Sequence, residues 1–275
     1  MSKDSNSFGR LLKFWRQLHG FSQEALALEL DSSTRHISCL ENAKAHPSLP
    51  MVEHLATAFS LKERDRCYLM LSAGYTPEVA SVDFNDPNYK WLRSAMHRSV
   101  TALDPHPAAL INRYGEILMV NRAWVGLYRQ LFSEEDLNHQ ANHYDLLFAG
   151  QAKAGKSALG DNAMALVIMA LQQEALISGD VRYQPVLQRL VENQNTPANW
   201  AELAAKLDPM ASYRIQLPVG AELATFFAVN QTVGATGPAS YVSEPRLTIV
   251  TLYPENLNTD ISGFGSHCYS HPLLS

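Results

Sequence analysis

Along residues 8–75 apolar side chains recur every three or four positions, the period of short amphipathic helices. Phe8, Leu11, Leu12, Trp15 and Leu18 share one face of a first helix. Ser22 is placed to cap a second helix that carries Leu26 and Leu30. Asp31 and Ser32 form a turn, and a third helix from Ser33 points Ile37 and Leu40 inward. A fourth begins at Ser48, with Pro50 in the first turn where a missing N–H costs little, and buries Val52, Leu55, Ala56 and Phe59. A fifth runs from about Leu61 to a left-handed cap at Gly74, with Pro77 just beyond. The spacing predicts a compact all-α domain of five helices over residues 1–77.

The pattern then changes. TPEVASVDFNDPNYK (76–90) is polar with two prolines and reads as a linker. A helix from Trp91 to about Leu103 follows, so 78–104 is expected as linker and connecting helix. Beyond the DPHP break at 104–107, Ala108–Asn112 and Glu116–Asn121 flank an Arg113-Tyr114-Gly115 turn and predict a hairpin. Residues 162–177 and 183–192 read as helices, and Tyr213–Leu217, Leu223–Gln231 and Leu247–Tyr253 as three antiparallel strands. The order implies an α+β domain with an antiparallel sheet over 105–260, followed by a loose C-terminal tail at 261–275.

Composition narrows the class. The chain is 46% hydrophobic and 18% charged, as in a globular protein, and no apolar run approaches the roughly 20 residues of a membrane span. MSKDSNSF lacks the apolar core of a signal peptide, and three widely spaced cysteines make no disulfide framework, so a cytoplasmic location is expected. Net charge is −5, yet residues 1–75 hold nine Lys/Arg against eight Asp/Glu. Any binding of nucleic acid by this near-neutral region must rest on a few well-placed groups, doubled by dimerisation.

Residues 22–44, SQEALALELDSSTRHISCLENAK, supply such groups. Two short helices around a tight polar turn, the second opening on small polar and basic side chains, suit a helix that inserts its N-terminal end into a major groove. Gln23 at the second helix start faces a phosphate, aided by the free N–H groups there. Ser33 opens the third helix, and Thr34, Arg35 and Ser38 project away from the Ile37/Leu40 face; the Arg35 fork matches guanine O6 and N7. Asn42 and Lys44 suit backbone phosphates, and Arg16 with Glu41 forms an ion pair between the first and third helices. The expected partner is a double-stranded DNA operator bound by a homodimer. The plainer alternative is a helical interaction module whose polar residues are merely solvated.

FGRLLKFWRQLHGFSQEALALEL, continued by DSSTRHISCLENAKAHPS, resembles the lambda-repressor-like, xenobiotic-response-element type of helix-turn-helix. The STRH opening, the ENxK exit and the AGYTP after the fifth helix are similar to one branch, the MmyB-like transcription regulators. The likeness is specific over residues 8–77 and looser through PHPAALINRYGEILMVNRAW to YDLLF at 148. It implies a PAS-like ligand-binding domain that accommodates fatty-acid-type molecules. Two positions depart from the family, which has glycine in the interhelical turn and in ENGK; here Asp31 and Ala43 stand there. Asp tolerates left-handed geometry, whereas Ala there costs about 1 kcal/mol.

The C-terminal half offers several chemistries. GQAKAGKS (150–157) matches G-x-x-x-x-G-K-S, in which backbone N–H groups, Lys156 and Ser157 would hold a nucleotide's phosphates and Mg²⁺, the alternative of a P-loop enzyme. Against it, Gly160 and Asp161 interrupt the helix that should start at Lys156, and alternating parallel strands and helices are missing from the pattern. His139/His143 and His267-Cys268-x-x-His271 have zinc-like residue types without a partner pair, and read as a solvated helix face and the tail. No catalytic, metal or cofactor site is expected. The helix at 162–177 is apolar nearly all round, and Met164, Ile168 and Met169 suit the adaptable wall of an apolar ligand pocket. Trp124 and Tyr128 at i, i+4, with Phe226 in a late strand, complete that set; Asn121, Arg122 and Arg214 are the candidate polar anchors. The alternatives are core packing in a ligand-free dimerisation scaffold and a haem or flavin sensor.

Overall fold

The computed structural model describes residues 6–77, 83–139, 142–155, 157–208, 214–233, 246–265 and 269–274. They divide into two compact units, one within residues 6–77 and one from residue 83 onward.

The first unit is α1 (Ser7–Leu18), α2 (Gln23–Glu29), α3 (Thr34–Glu41), α4 (Leu49–Ala58) and α5 (Glu63–Ser72). Four of the five helix starts are capped by a side-chain oxygen. Asn6, Ser22, Ser33 and Ser48 accept from the N–H groups of Gly9, Ala25, His36 and Met51, satisfying donors that have no intrahelical partner. The exits turn through left-handed residues: Asp31 (φ 47°), Ala43 (φ 54°), Ser60 (φ 50°) and Gly74 (φ 83°). Leu12, Leu26, Ile37, Leu40, Val52, Leu55 and Phe59 meet in one buried cluster, as their spacing requires. Leu18 departs from the expected face. It ends α1 beyond the reach of that cluster and is 62% exposed.

The second unit opens with a 3-10 turn at Pro87–Tyr89 and α6 (Lys90–Thr101), then the hairpin β1 (Ala108–Asn112) and β2 (Ile117–Val120). Helices α7 (Arg122–Tyr128), α8 (Glu134–His139), α9 (His143–Ala154), α10 (Ala158–Ser178), α11 (Gln184–Val191) and α12 (Trp200–Ala204) follow. Strands β3 (Arg214–Val219), β4 (Glu222–Val233) and β5 (Leu247–Pro254) close the sheet. Among the described residues the sheet has the order β2-β1-β5-β4-β3, every neighbour antiparallel. Period-two alternation divides its faces. Leu110, Leu247 and Ile249 share a buried cluster with Leu92, Met96 and Val100 of α6, while Ile215, Leu217, Phe226, Val250 and Leu252 belong to a larger one with residues of α7, α9, α10 and α11. This is the α+β arrangement with an antiparallel sheet that the pattern predicted, and the PAS-like one that the family resemblance implied.

Three expectations are corrected. The C-terminal stretch is no loose tail: Ile261, Phe264 and His271 are buried, and Val120 N–H donates to Leu273 O at 2.8 Å. Apolar side chains there complete the large cluster. At the end of the presumed linker, Phe84 is buried under α6, and Arg93 donates to the carbonyls of Phe84 and Asp86. Helix α10 is not buried all round, since Leu176 and Ile177 near its C-terminal end are exposed. No helix among the described residues is long and apolar enough to cross a membrane.

Candidate nucleic-acid interface and effector site

Helix α3 is anchored by Ile37 and Leu40, which are completely buried, so the opposite side must face outward. Ser33, Thr34, Arg35, Asn42 and Lys44 are exposed, and Ser38 is half-buried at the edge. Ser33 Oγ is the helix cap (3.1 Å to His36 N–H), which leaves its hydroxyl proton available. Asn42 Nδ2 closes the helix end, donating to Ser38 O at 2.7 Å and, at 3.4 Å, to Ser38 Oγ.

Behind this surface lies a polar lock. Arg16 donates to both Glu41 oxygens (2.6 and 3.2 Å) and to Phe21 O (2.8 Å), forming the expected ion pair between α1 and α3. Burial pushes the Glu41 carboxyl up, but the hydrogen bonds from Arg16 and Gln23 outweigh it and hold the group below the usual carboxylate range. Spacing carried no signal for the third member: Gln23 Nε2 donates to Glu41 Oε2 at 2.8 Å, across eighteen residues. An amide nitrogen has two protons, and this bond to Glu41 uses one of the two on Gln23.

The residues expected around an effector separate into two groups. Trp124, Tyr128, Met164, Ile168 and Phe226 meet in one buried cluster, with the Trp124 and Tyr128 rings 4.6 Å apart; Met169 is half-buried and does not join them. The polar anchors are elsewhere. Asn121 Oδ1 accepts from Ala108 N–H and Trp124 N–H, and its Nδ2 donates to His106 O, so the amide joins β1 to α7. Arg122 is exposed. Arg214 lies on the opposite sheet face from Ile215 and Leu217, where Glu255 binds it at 2.6 and 2.7 Å. The side-chain alternation of a strand turns it away from the cluster. An open cleft of about 970 Å³ in the same unit, bordered by Arg129, Gln130, Gly220, Asn256 and Asp260, is lined by none of the nine expected residues.

The end of α10 is fastened by charge. Arg182 hydrogen-bonds Asp180 and, with Tyr114, holds its carboxyl well below the usual range. Burial and Asp180 push the Tyr114 hydroxyl up to about 12.

The GQAKAGKS stretch does not form a strand-fed phosphate loop. Gly150–Ala154 are the last residues of α9, because the apolar Leu146 and Phe148 before them are buried as helix positions rather than as a strand. Ser157 caps α10, accepting from Gly160 N–H at 3.1 Å; Lys156 lies outside the described residues. The two histidines also separate. His139 is exposed on α8, and His143 is buried at the start of α9, where burial pushes its pKa down to about 4. It is not on a solvated face. His267 and Cys268 lie outside the described residues, and among those described no group of three His, Cys, Asp or Glu is placed to hold a metal ion.

Residues 12–65 match the helix-turn-helix family model, and residues 92–256 match that of the MmyB-like transcription regulator ligand binding domain. No curated protein shows significant similarity to the chain. The chain is therefore a DNA-binding regulator with a separate ligand-binding domain. A five-helix reading head, a PAS-like sheet domain and a matched segment covering more than half of the sequence agree: the chain belongs to the MmyB-like transcription regulators.

Proposed function

We propose that the chain reads a two-fold DNA operator with α3 and that a small hydrophobic effector of the fatty-acid class biases this binding. The observation that supports it best is the outward-facing opening of α3, set by a buried Arg16–Glu41–Gln23 lock beneath it. In this reading Arg35 reads a guanine edge, with Ser33, Thr34 and Ser38 beside it, and Gln23, Asn42 and Lys44 bind phosphates. A near-neutral head needs a second half-site for affinity, which a homodimer supplies.

The test is selection from random duplexes followed by fluorescence anisotropy. Arg35→Ala is expected to cost about 1–3 kcal/mol at one base pair and relax preference there, while Gln23→Ala weakens all sequences alike. Equal effects on every sequence would remove Arg35 as the reader. Sedimentation of the full chain checks the dimer.

For the effector, the acyl chain lies against Met164 and Ile168 of α10, with Trp124, Tyr128 and Phe226 opposite. Methionine side chains rearrange readily to admit such a chain. Native mass spectrometry of gently purified protein carries the decision. A bound lipid of defined mass supports this reading, and a bare chain that also fails to bind added fatty acid refutes it in favour of a dimerisation scaffold.

A further inference from the structure

An acyl chain among Trp124, Tyr128, Ile168 and Phe226 needs room that these side chains do not leave, since each is at most 2% exposed. Cores are close-packed, so something that now touches them must give way. Most of the wall is built to stay. Phe226 lies in β4 with partners on both sides, Ile215 in β3 and Pro254 in β5. Ile168 sits midway along the twenty-one-residue α10. Trp124 is in the first turn of α7, which the Asn121 amide fixes through its bonds to Ala108, Trp124 and His106.

Residues 269–274 are different. They form no helix or strand, only a turn at Pro272 and Leu273 and a bridge from Leu274 to Val120. Tyr269, Leu273 and Leu274 are nevertheless half-buried against the same apolar cluster. His271 is buried, and its ring meets Trp124 edge to face at 5.7 Å. Leu273 N–H donates to His271 Nδ1 at 3.1 Å, which puts the imidazole proton on Nε2, facing Leu137 O at 3.4 Å. Val120 N–H, on the edge strand β2, donates to Leu273 O at 2.8 Å. A neutral imidazole and an edge-strand hydrogen bond thus fasten the stretch beside Trp124. Releasing it breaks no helix and no ladder between strands. We propose that residues 269–274 are a built-in occupant of the effector site, a strap holding the place that an acyl chain takes on binding. The inference rests on the effector reading above. Displacement is an exchange in which the acyl chain covers the wall that Tyr269, Leu273 and Leu274 now cover. The strap therefore competes with the effector, and apparent affinity scales with the fraction of molecules in which it is released.

The test adds palmitate to the full chain, with binding read by native mass spectrometry and the strap by hydrogen exchange. A ligand that merely fills a site slows exchange around it. Displacement instead predicts faster exchange at Val120 and across 269–274 while palmitate is bound. His271→Ala, which removes the imidazole fastening, is expected to tighten palmitate binding about 10-fold by raising the released fraction. Leu273→Ser loosens the same strap without opening a space beside Trp124, and is expected to shift affinity in the same direction. Palmitate bound with unchanged or slower exchange at these residues would overturn the strap and leave the effector reading intact. Two folded variants with the affinity of the parent would do the same. No palmitate on the parent or on either variant would refute the effector reading, and the strap with it.

Discussion

Replacing Glu41 by alanine tests whether the lock beneath α3 is structural and functional at once. The Glu41 and Arg16 side chains are 5% and 11% exposed, so their pairing is largely shielded from water. Removing the carboxylate leaves the guanidinium with Phe21 O and frees the Gln23 amide. Breaking a buried pair by deleting one partner typically costs about 3–5 kcal/mol. The retained carbonyl bond and the edge position of Arg16 place this site near about 3 kcal/mol. Against a domain stability of about 5–15 kcal/mol this is a large loss, equivalent to a Tm drop of more than about 10 °C for a unit of this size. Urea unfolding supplies the magnitude, and hydrogen exchange of peptides from α1 to α3 confirms that the loss belongs to this unit. The double substitution Arg16→Met with Glu41→Leu separates the causes. Removing both charges in favour of apolar packing should return stability to within about 1 kcal/mol of the parent. DNA affinity should stay low in that variant, because Gln23 still lacks its orienting partner. A loss below about 1 kcal/mol in Glu41→Ala, or a double variant as unstable as the single one, would refute the reasoning. Acid acts on the same pair: its stabilisation is complete at neutral pH and is lost as Glu41 takes up a proton below the usual carboxylate range.

Other outcomes follow from single contacts. Ala43 has φ 54°, so Ala43→Gly should raise stability by about 0.5–1 kcal/mol in thermal unfolding; an unchanged or lower Tm would mean that the conformation carries no strain. His143 has its pKa pushed down to about 4 by burial, so the unfolded chain binds the extra proton first. Stability of the sheet domain should therefore be complete above about pH 6.5 and fall by about 3 kcal/mol as pH drops toward 4. His143→Asn should flatten that slope in urea titrations at several pH values, and an unaltered slope would place its origin elsewhere. A Cβ on Gly126 would lie 2.0 Å from the Phe264 carbonyl. Gly126→Ala should cost about 1–3 kcal/mol and expose residues 262–274 to proteolysis; resistance equal to the parent would show that this close contact is dispensable.

The five-helix head was legible because its information is local. The three-and-four spacing of Phe8, Leu12, Leu26, Ile37 and Leu40 defines its faces, and Ser22, Ser33 and Ser48 punctuate it within three residues of the atoms they cap. Asp31 and Ala43 take the left-handed turns that the family resemblance placed there. The strands were legible for the same reason, since Leu110 and Ile111 alternate between the two clusters on the two faces of one sheet.

Residues far apart in the chain decided the rest. Gln23 meets Glu41, and Gln151 meets Gln216, through contacts no local period encodes. Arg214 looked like an anchor until its strand register turned it toward Glu255, and Asn121 until the hairpin claimed its amide. The GQAKAGKS stretch shows the division most clearly. Its letters are those of a phosphate loop, but a cradle needs a strand entering it, and here the apolar residues before it wind into a helix against the sheet. Periodicity records which side of an element is buried. What that side is buried against, and so which polar atoms remain for a ligand, depends on neighbours that come together only in the folded chain.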